Sequence, residues 1–361
     1  MPKKEKLILN PEYEESPMER RSFLLKAGAA GAVLGGVGYV AFAPESAPFS
    51  RKDFSGERSY SEPEPFRLQD FQVAKPPGMS HDFGIARMRD SSNNNAQRWS
   101  PEEQRRLLRA ALDAVGGIEH FVQPGDVVLV KPDVSYDRSY TLGATSNPVM
   151  VGEMVRVLLE DAKAAEVRVA DVPIEYARSC FEKTGIQEAA EAAGARVFLP
   201  DDRSFRILHT PGATLIEHCP VFARALEGVD KVIGMPAVKD HVLCKASIAL
   251  KNWTGLVEGN TSRFDKQIHE YVSDLSLLMK PTLTIIDGTQ VLFENGPTGG
   301  NISNVRFGNV VLAGTDQVAM DAWAFEHCLE RGTDYPAYLG MAEQKGGGKV
   351  DWSGREMEVI V

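Results

Sequence analysis

From about residue 100 onward, the chain alternates short apolar runs with longer stretches whose apolar residues recur at helical spacing. Residues 126–132 (DVVLVKP), 167–171, 195–199 and 231–235 are runs of strand length, the first closed by a cation and a helix-breaking proline. Residues 282–288 and 309–313 take the same form. Between them lie helix patterns with clear starts. Ser100, Pro101 and Glu103 set a capping serine, a first-turn proline and a third-position glutamate ahead of a helix that runs to Gly116-Gly117. Asn147-Pro148 opens a second helix to about Ala165, and residues 186–193 and 316–328 supply two more. Short apolar strands separated by helices predict an α/β domain built on a largely parallel sheet with helices on both faces.

The N-terminus follows a different pattern. Arg20-Arg21-Ser22-Phe23-Leu24 and Lys26 precede a Gly/Ala-rich apolar run from Ala27 to Ala43, the layout of a twin-arginine export signal. Ala41 and Ala43 suit a signal peptidase, but Pro44 stands just after the cut and hinders it, so the segment is expected to stay as an N-terminal anchor. Residues 44–80, rich in Pro, Ser, Arg and Glu, are expected to be a linker. The expected organisation is therefore a signal over 1–43, a linker over 44–80 and one α/β domain over 81–361. Export to the periplasm or cell exterior by the twin-arginine translocase follows, with the N-terminal segment as the one membrane contact.

Composition narrows the partners. A formal net charge of -10 and a pI near 5.3 disfavour nucleic acid, whose binding draws on clustered positive charge. The four cysteines are far apart and form no C-x-x-C pair, so the chain carries no iron–sulfur motif, and the thiols are expected to be buried and free. Twin-arginine export carries folded proteins, often with a cofactor already inserted. Any such cofactor here falls to histidine or lysine.

The candidate chemistry gathers in residues 231–259, KVIGMPAVKDHVLCKASIALKNWTGLVEG. An apolar strand runs straight into Lys239, His241, Lys245 and Lys251. Lys239 and His241 are two apart, so on extended chain they point to one side, at the carboxyl end of a strand where open α/β sheets bind ligands. Other strand ends deliver Lys131 and Asp133, Asp171, and Asp287 toward the same edge. Together they outline a crevice of both charge signs, suited to a small anionic or carbonyl substrate. The loop over 294–300 brings Gly299 and Gly300, whose backbone N–H groups would cradle an anion. It lacks the Lys-Ser/Thr of a nucleotide P-loop.

VVLVKPD (127–133), TSNPVMVGEMVRVLLE (145–160), KDHVLCKASIALKNWTG (239–255), PTLTIIDG (281–288), NGPTGG (295–300) and AGTDQVAMDAWA (313–324) resemble the DUF362 family of uncharacterised proteins over roughly residues 80–345. There is also a distant resemblance to the catalytic domain of nickel-dependent lactate racemase, in the order and spacing of His241, Lys251 and His269. That resemblance implies His241 as general base, Lys251 as the tether of a nickel pincer nucleotide and His269 as a metal ligand. Two functions stay open: an exported, cofactor-dependent enzyme acting on a small hydroxy or oxo acid by proton or hydride transfer, with a divalent metal or metal-organic cofactor, or a non-catalytic cofactor-binding or maturation protein associated with an exported redox complex. Without a tethered cofactor, Lys251 becomes a Schiff-base or electrostatic lysine.

Overall fold

The computed structural model describes residues 65–89, 99–259 and 261–361. The export signal and the first part of the linker lie outside the described residues. Pro63–Val361 form one compact α/β unit.

The central sheet has the strand order β13-β1-β12-β10-β7-β2-β3-β4. These strands are β1 (Phe83–Arg87), β2 (Val127–Pro132), β3 (Glu166–Ala170), β4 (Arg196–Phe198), β7 (Lys231–Met235), β10 (Leu283–Leu292), β12 (Val310–Gly314) and β13 (Glu356–Ile360). The run from β10 through β7, β2 and β3 to β4 is parallel throughout, and β12 is the reversed strand of that path. A small separate hairpin pairs β5 (Arg206–His209) with β6 (His218–Val221). The expectation of a largely parallel sheet holds.

Helices cover both faces. α1 (Pro101–Ala114) starts on the capping box foreseen at Ser100: its hydroxyl takes the Glu103 N–H while the Glu103 carboxylate takes the Ser100 N–H. α1 and α2 (Pro148–Arg156, capped by Asn147) pack on the face shown by Val128 and Val130. α3 (Ala249–Asn252) and α4 (Ile268–Leu278) pack on the opposite face, shown by Leu129 and Val232. Successive strand residues point to opposite faces, so a strand buried on both sides must be apolar throughout, as residues 127–130 are.

One feature of the sheet shapes the site. β7 ends at Met235, Pro236 breaks the pairing, and β8 (Ala237–His241) carries on beside the far half of the ten-residue β10, with Ala237 opposite Asp287 and Lys239 opposite Leu292. β8 then folds back into β9 (Lys245–Ser247), placing Lys239 opposite Ser247 and His241 opposite Lys245. This extension stands over the carboxyl edge of the parallel strands.

The linker expectation fails for residues 65–80. Phe66 bridges to Leu208, Phe71 is buried, its N–H bonds the Lys280 carbonyl at 3.1 Å and its carbonyl takes the Thr282 hydroxyl at 2.9 Å. The isolated aromatics that made this stretch look like an extended lead-in are its anchors, because burying them offsets the ordering of the chain. At the other end, β13 pairs with β1, so the fold continues to the C-terminus. The four cysteines are unpaired; Cys180, Cys219 and Cys244 are buried and Cys328 is partly exposed.

Candidate functional site

Lys131 shares a sheet face with Leu129, two residues earlier on β2, and ends up almost wholly buried. Its ammonium sits 2.6 Å from Asp171 Oδ1, 2.8 Å from Asn252 Oδ1 and 2.9 Å from the Pro132 carbonyl. Asn252 returns a bond from Nδ2 to the Lys131 carbonyl at 3.1 Å, so one amide holds both ends of the residue. The other oxygen of Asp171 takes the Val134 N–H at 2.7 Å. Burial pushes the Asp171 carboxyl up, Lys131 opposes it, the Asp133 charge adds to the rise, and the result is about 6.

A second buried pair lies beside the first. Lys239 Nζ is 2.6 Å from Asp133 Oδ2 and donates to the Ala144 carbonyl at 3.0 Å, with the Tyr136 ring 5.5 Å away. Asp133 Oδ1 takes the hydroxyl and N–H of Ser135. Burial raises the Asp133 carboxyl, but Lys239 and Lys131 override it and bring it to about 2.

Lys251 is the third lysine and differs from both. It lines a narrow cleft with Asp133, Ser135, Lys239, Ser247 and Asn252, yet among the described residues its amine makes no hydrogen bond or ion pair. Burial pushes its pKa down from the ordinary value; Cys244 opposes that and Lys239 reinforces it. The cleft has a free volume of about 20 Å³, room for a water-sized group. Exposed Ile174 and the Pro297 ring are also part of its lining.

The segment that carries Lys251 is held from the far side of the chain. Buried Asp321, on α5 (Gln317–His327), takes the N–H groups of Ala249 and Leu250 at 2.7 and 3.2 Å and so caps the short helix α3. Burial raises the Asp321 carboxyl to about 7 although both N–H groups pull the other way. Trp253, fully buried, donates to Gln317 Oε1 at 2.5 Å, and its ring lies where a side chain on Gly234 would stand. Gly255 closes the motif: a Cβ there would fall 1.8 Å from Asp171 Oδ1 and 2.6 Å from Lys131 Nζ. Only glycine leaves space for the Lys131–Asp171 pair.

The structure brings Lys131, Asp133, Asp171, Lys239 and Lys251 together, while His241, His269, Asp287, Gly299 and Gly300 lie apart from them. His241, buried, lines a separate groove rather than the Lys251 cleft. Burial, then Lys251 and Lys239, lower its pKa to about 3, which keeps it uncharged and makes it a weaker base than an ordinary imidazole. His269 lines neither cavity. It stacks on Tyr338 with ring centroids 6.1 Å apart, and burial followed by the Lys245 charge lowers its pKa. A neighbouring cation is a poor companion for a metal ion, and among the described residues no three His, Cys, Asp or Glu side chains come together in a set that would hold one. The sequence order of His241, Lys251 and His269 is therefore not matched by a shared pocket.

Asp287 also stands apart, in a small cavity with Thr145, Asn147 and Gln290, where its Oδ1 takes the N–H and hydroxyl of Thr289 and burial raises its pKa. The glycine-rich loop reaches the cleft through Pro297. Gly299 packs against the Leu142 carbonyl instead, at a φ of +65° that disfavours a side chain, and Gly300 (φ +135°) follows it outside the cleft lining. Sequence reasoning had no role for Asn252, Asp321, Ser135 or Ser247. The signal available was the run NWTG: an amide and a glycine three apart, straight after a lysine in apolar sequence.

Residues 128–326 match the family model described as a domain of unknown function, DUF362, and the chain belongs to that family. It is also 24% identical over 223 residues to a thylakoid-associated protein of Synechocystis sp.. That match covers 59% of this chain and 66% of the relative, just under two thirds of its length. Among the described residues, no helix is long and apolar enough to cross a membrane.

Proposed function

We propose that this member of the DUF362 family binds a small oxo acid, or a related carbonyl compound, with the carbonyl end in the cleft beside Lys251. The observation that carries the reading is a contrast among three lysines. Two are locked in buried ion pairs, while the third lines the cavity with no partner among the described residues and a lowered pKa. A larger uncharged fraction makes a lysine amine a better nucleophile toward a carbonyl, giving an imine and water. The Lys239 charge and the Ser247 hydroxyl stand ready for the carbonyl oxygen as it gains negative charge, while the Ser135 hydroxyl is taken by Asp133. Asp133 and Ser135 hold Lys239 in place for that role.

The racemase resemblance would instead make Lys251 the tether of a nickel pincer nucleotide. A free volume of about 20 Å³ suits the end of a small molecule rather than a nucleotide, which favours the first reading. Incubation with glyoxylate and borohydride is expected to leave a reduced adduct on the Lys251 peptide of the full-length protein, and none on that peptide in Lys251→Arg. Labelling spread evenly over surface lysines, with Lys251 spared, contradicts the proposal.

Export with retention at a membrane belongs to the same reading. It is supported by Arg20-Arg21 with the apolar run after them and by the thylakoid association in the relative's name. Changing Arg20 and Arg21 together to lysine should hold the protein in the cytoplasm; unaltered export of that variant contradicts it.

A further inference from the structure

The carboxylates buried in this fold are compensated in all but one place. Asp133, Asp171 and Asp274 each meet a lysine at 2.6 Å, and Glu153 meets Arg109 at 2.8 Å. Asp321 spends both oxygens on the N–H groups that open α3. Asp287, 7% exposed, has neither a cation nor a helix end. Its Oδ1 takes the N–H and hydroxyl of Thr289 at 2.8 and 2.6 Å, and among the described residues no Lys, Arg or His pairs with its carboxylate. Burial pushes its pKa up, and the groups that oppose the rise, Thr289 and Asn147, are uncharged.

A cavity of about 10 Å³ lies beside this carboxylate, the scale of one water or one small ion. Thr145 lines it too. That side chain is 4% exposed, and its Oγ1 is enclosed with no hydrogen-bond partner among the described residues. A hydroxyl buried in this way is costly unless something from outside the chain meets it. The cavity therefore joins a charge without a counter-charge to an oxygen without a partner.

The donor chemistry selects the ligand. Carboxylate, hydroxyl and amide groups line the cavity with no imidazole or thiol, a set for a hard cation rather than a transition metal. Magnesium keeps several of its waters, for which there is no room, and calcium takes about six to eight oxygens. One carboxylate balances one positive charge. We propose that this cavity binds a monovalent cation of sodium size, with Asp287 supplying the charge and Thr145 a neutral oxygen. An alkali-metal ion needs no cluster of His, Cys, Asp and Glu, so the absence of one among the described residues does not bear on it. The site has a structural consequence. Thr145 lies between Ala144, whose carbonyl takes the Lys239 ammonium, and Ser146, whose hydroxyl takes the Asp133 N–H and donates to the Met235 carbonyl. A bound ion braces the loop that seats the Asp133–Lys239 pair, whatever the chemistry at Lys251.

Urea unfolding of the full-length protein at fixed ionic strength in sodium, potassium or choline chloride tests this, with ²³Na NMR relaxation as the direct reading of binding. Wild type should enhance ²³Na relaxation saturably, and sodium at ten times the Kd so measured should raise the folded-to-unfolded ratio about tenfold over choline. Potassium should raise it less. Asp287→Asn, which keeps the shape of the side chain, and Thr145→Val, which removes only the hydroxyl, should each lose the sodium-specific rise and the ²³Na effect. Equal ratios in sodium and choline, with no saturable ²³Na relaxation, would assign the cavity to a water and overturn the proposal. So would equal effects of sodium and potassium, or a sodium rise undiminished in Asp287→Asn. If either variant fails to fold, the wild-type titration and the comparison of the three salts decide the matter.

Discussion

Asp171→Ala is expected to cost about 3–5 kcal/mol of folding stability at pH 7.5, the range for a buried pair that loses one partner. The variant leaves the Lys131 ammonium enclosed with Asn252 and a backbone carbonyl as its remaining acceptors, neither carrying a charge. The ion pair itself is not the source of the stability, because burial of both groups consumes most of what their attraction returns. The rise of the Asp171 pKa to about 6 in spite of Lys131 reflects that balance. Replacing both partners, Lys131→Met with Asp171→Leu, should therefore recover most of the loss. Urea unfolding followed by tryptophan fluorescence checks both. A loss below about 1 kcal/mol for Asp171→Ala contradicts the buried network described here.

Gly255→Ala is the second large effect, and it acts on the same pair by crowding. The added methyl would sit 1.8 Å from Asp171 Oδ1, well inside contact distance, and both neighbouring groups are fixed by short bonds. The Gly255 backbone is fixed too, since its carbonyl takes the Val172 N–H at 2.7 Å. Overpacking of this kind costs about 1–3 kcal/mol in an apolar core, and parting a buried ion pair adds to it. The expected loss is about 3 kcal/mol or more, with the Lys251 segment displaced and glyoxylate trapping reduced. A variant as stable as wild type would show that the NWTG turn has room to give.

Much of the framework was legible in the residues because it obeys local rules. The strand that ends at Lys131, the capping box at Ser100 and the extended segment that carries Lys239 and His241 all follow from periodicity and cap chemistry. Spacing could not reveal partners. Asp321 lies some seventy residues beyond the helix it caps, and within its own helix it is one polar residue among apolar neighbours. His241 and Lys251 lie close enough to share an electrostatic field but line different cavities. The aromatics at 66 and 71 sit in linker-like sequence, and only the tertiary packing shows that Phe71 is core and that Phe66 packs against it.

Lys251 differs from the ion-paired Lys131 and Lys239, and its pH profile measures that difference most directly. Trace acetylation with acetic anhydride, read peptide by peptide between pH 6 and 11, reports the free-amine fraction of each lysine. Lys251 should titrate below the ordinary lysine value of 10.5, since burial disfavours the charged form and Lys239 adds repulsion. Its share of label should therefore be greatest near neutral pH and should approach that of the exposed lysines as the pH rises. A Lys251 profile that coincides with theirs, or one displaced to higher pH, would contradict the account.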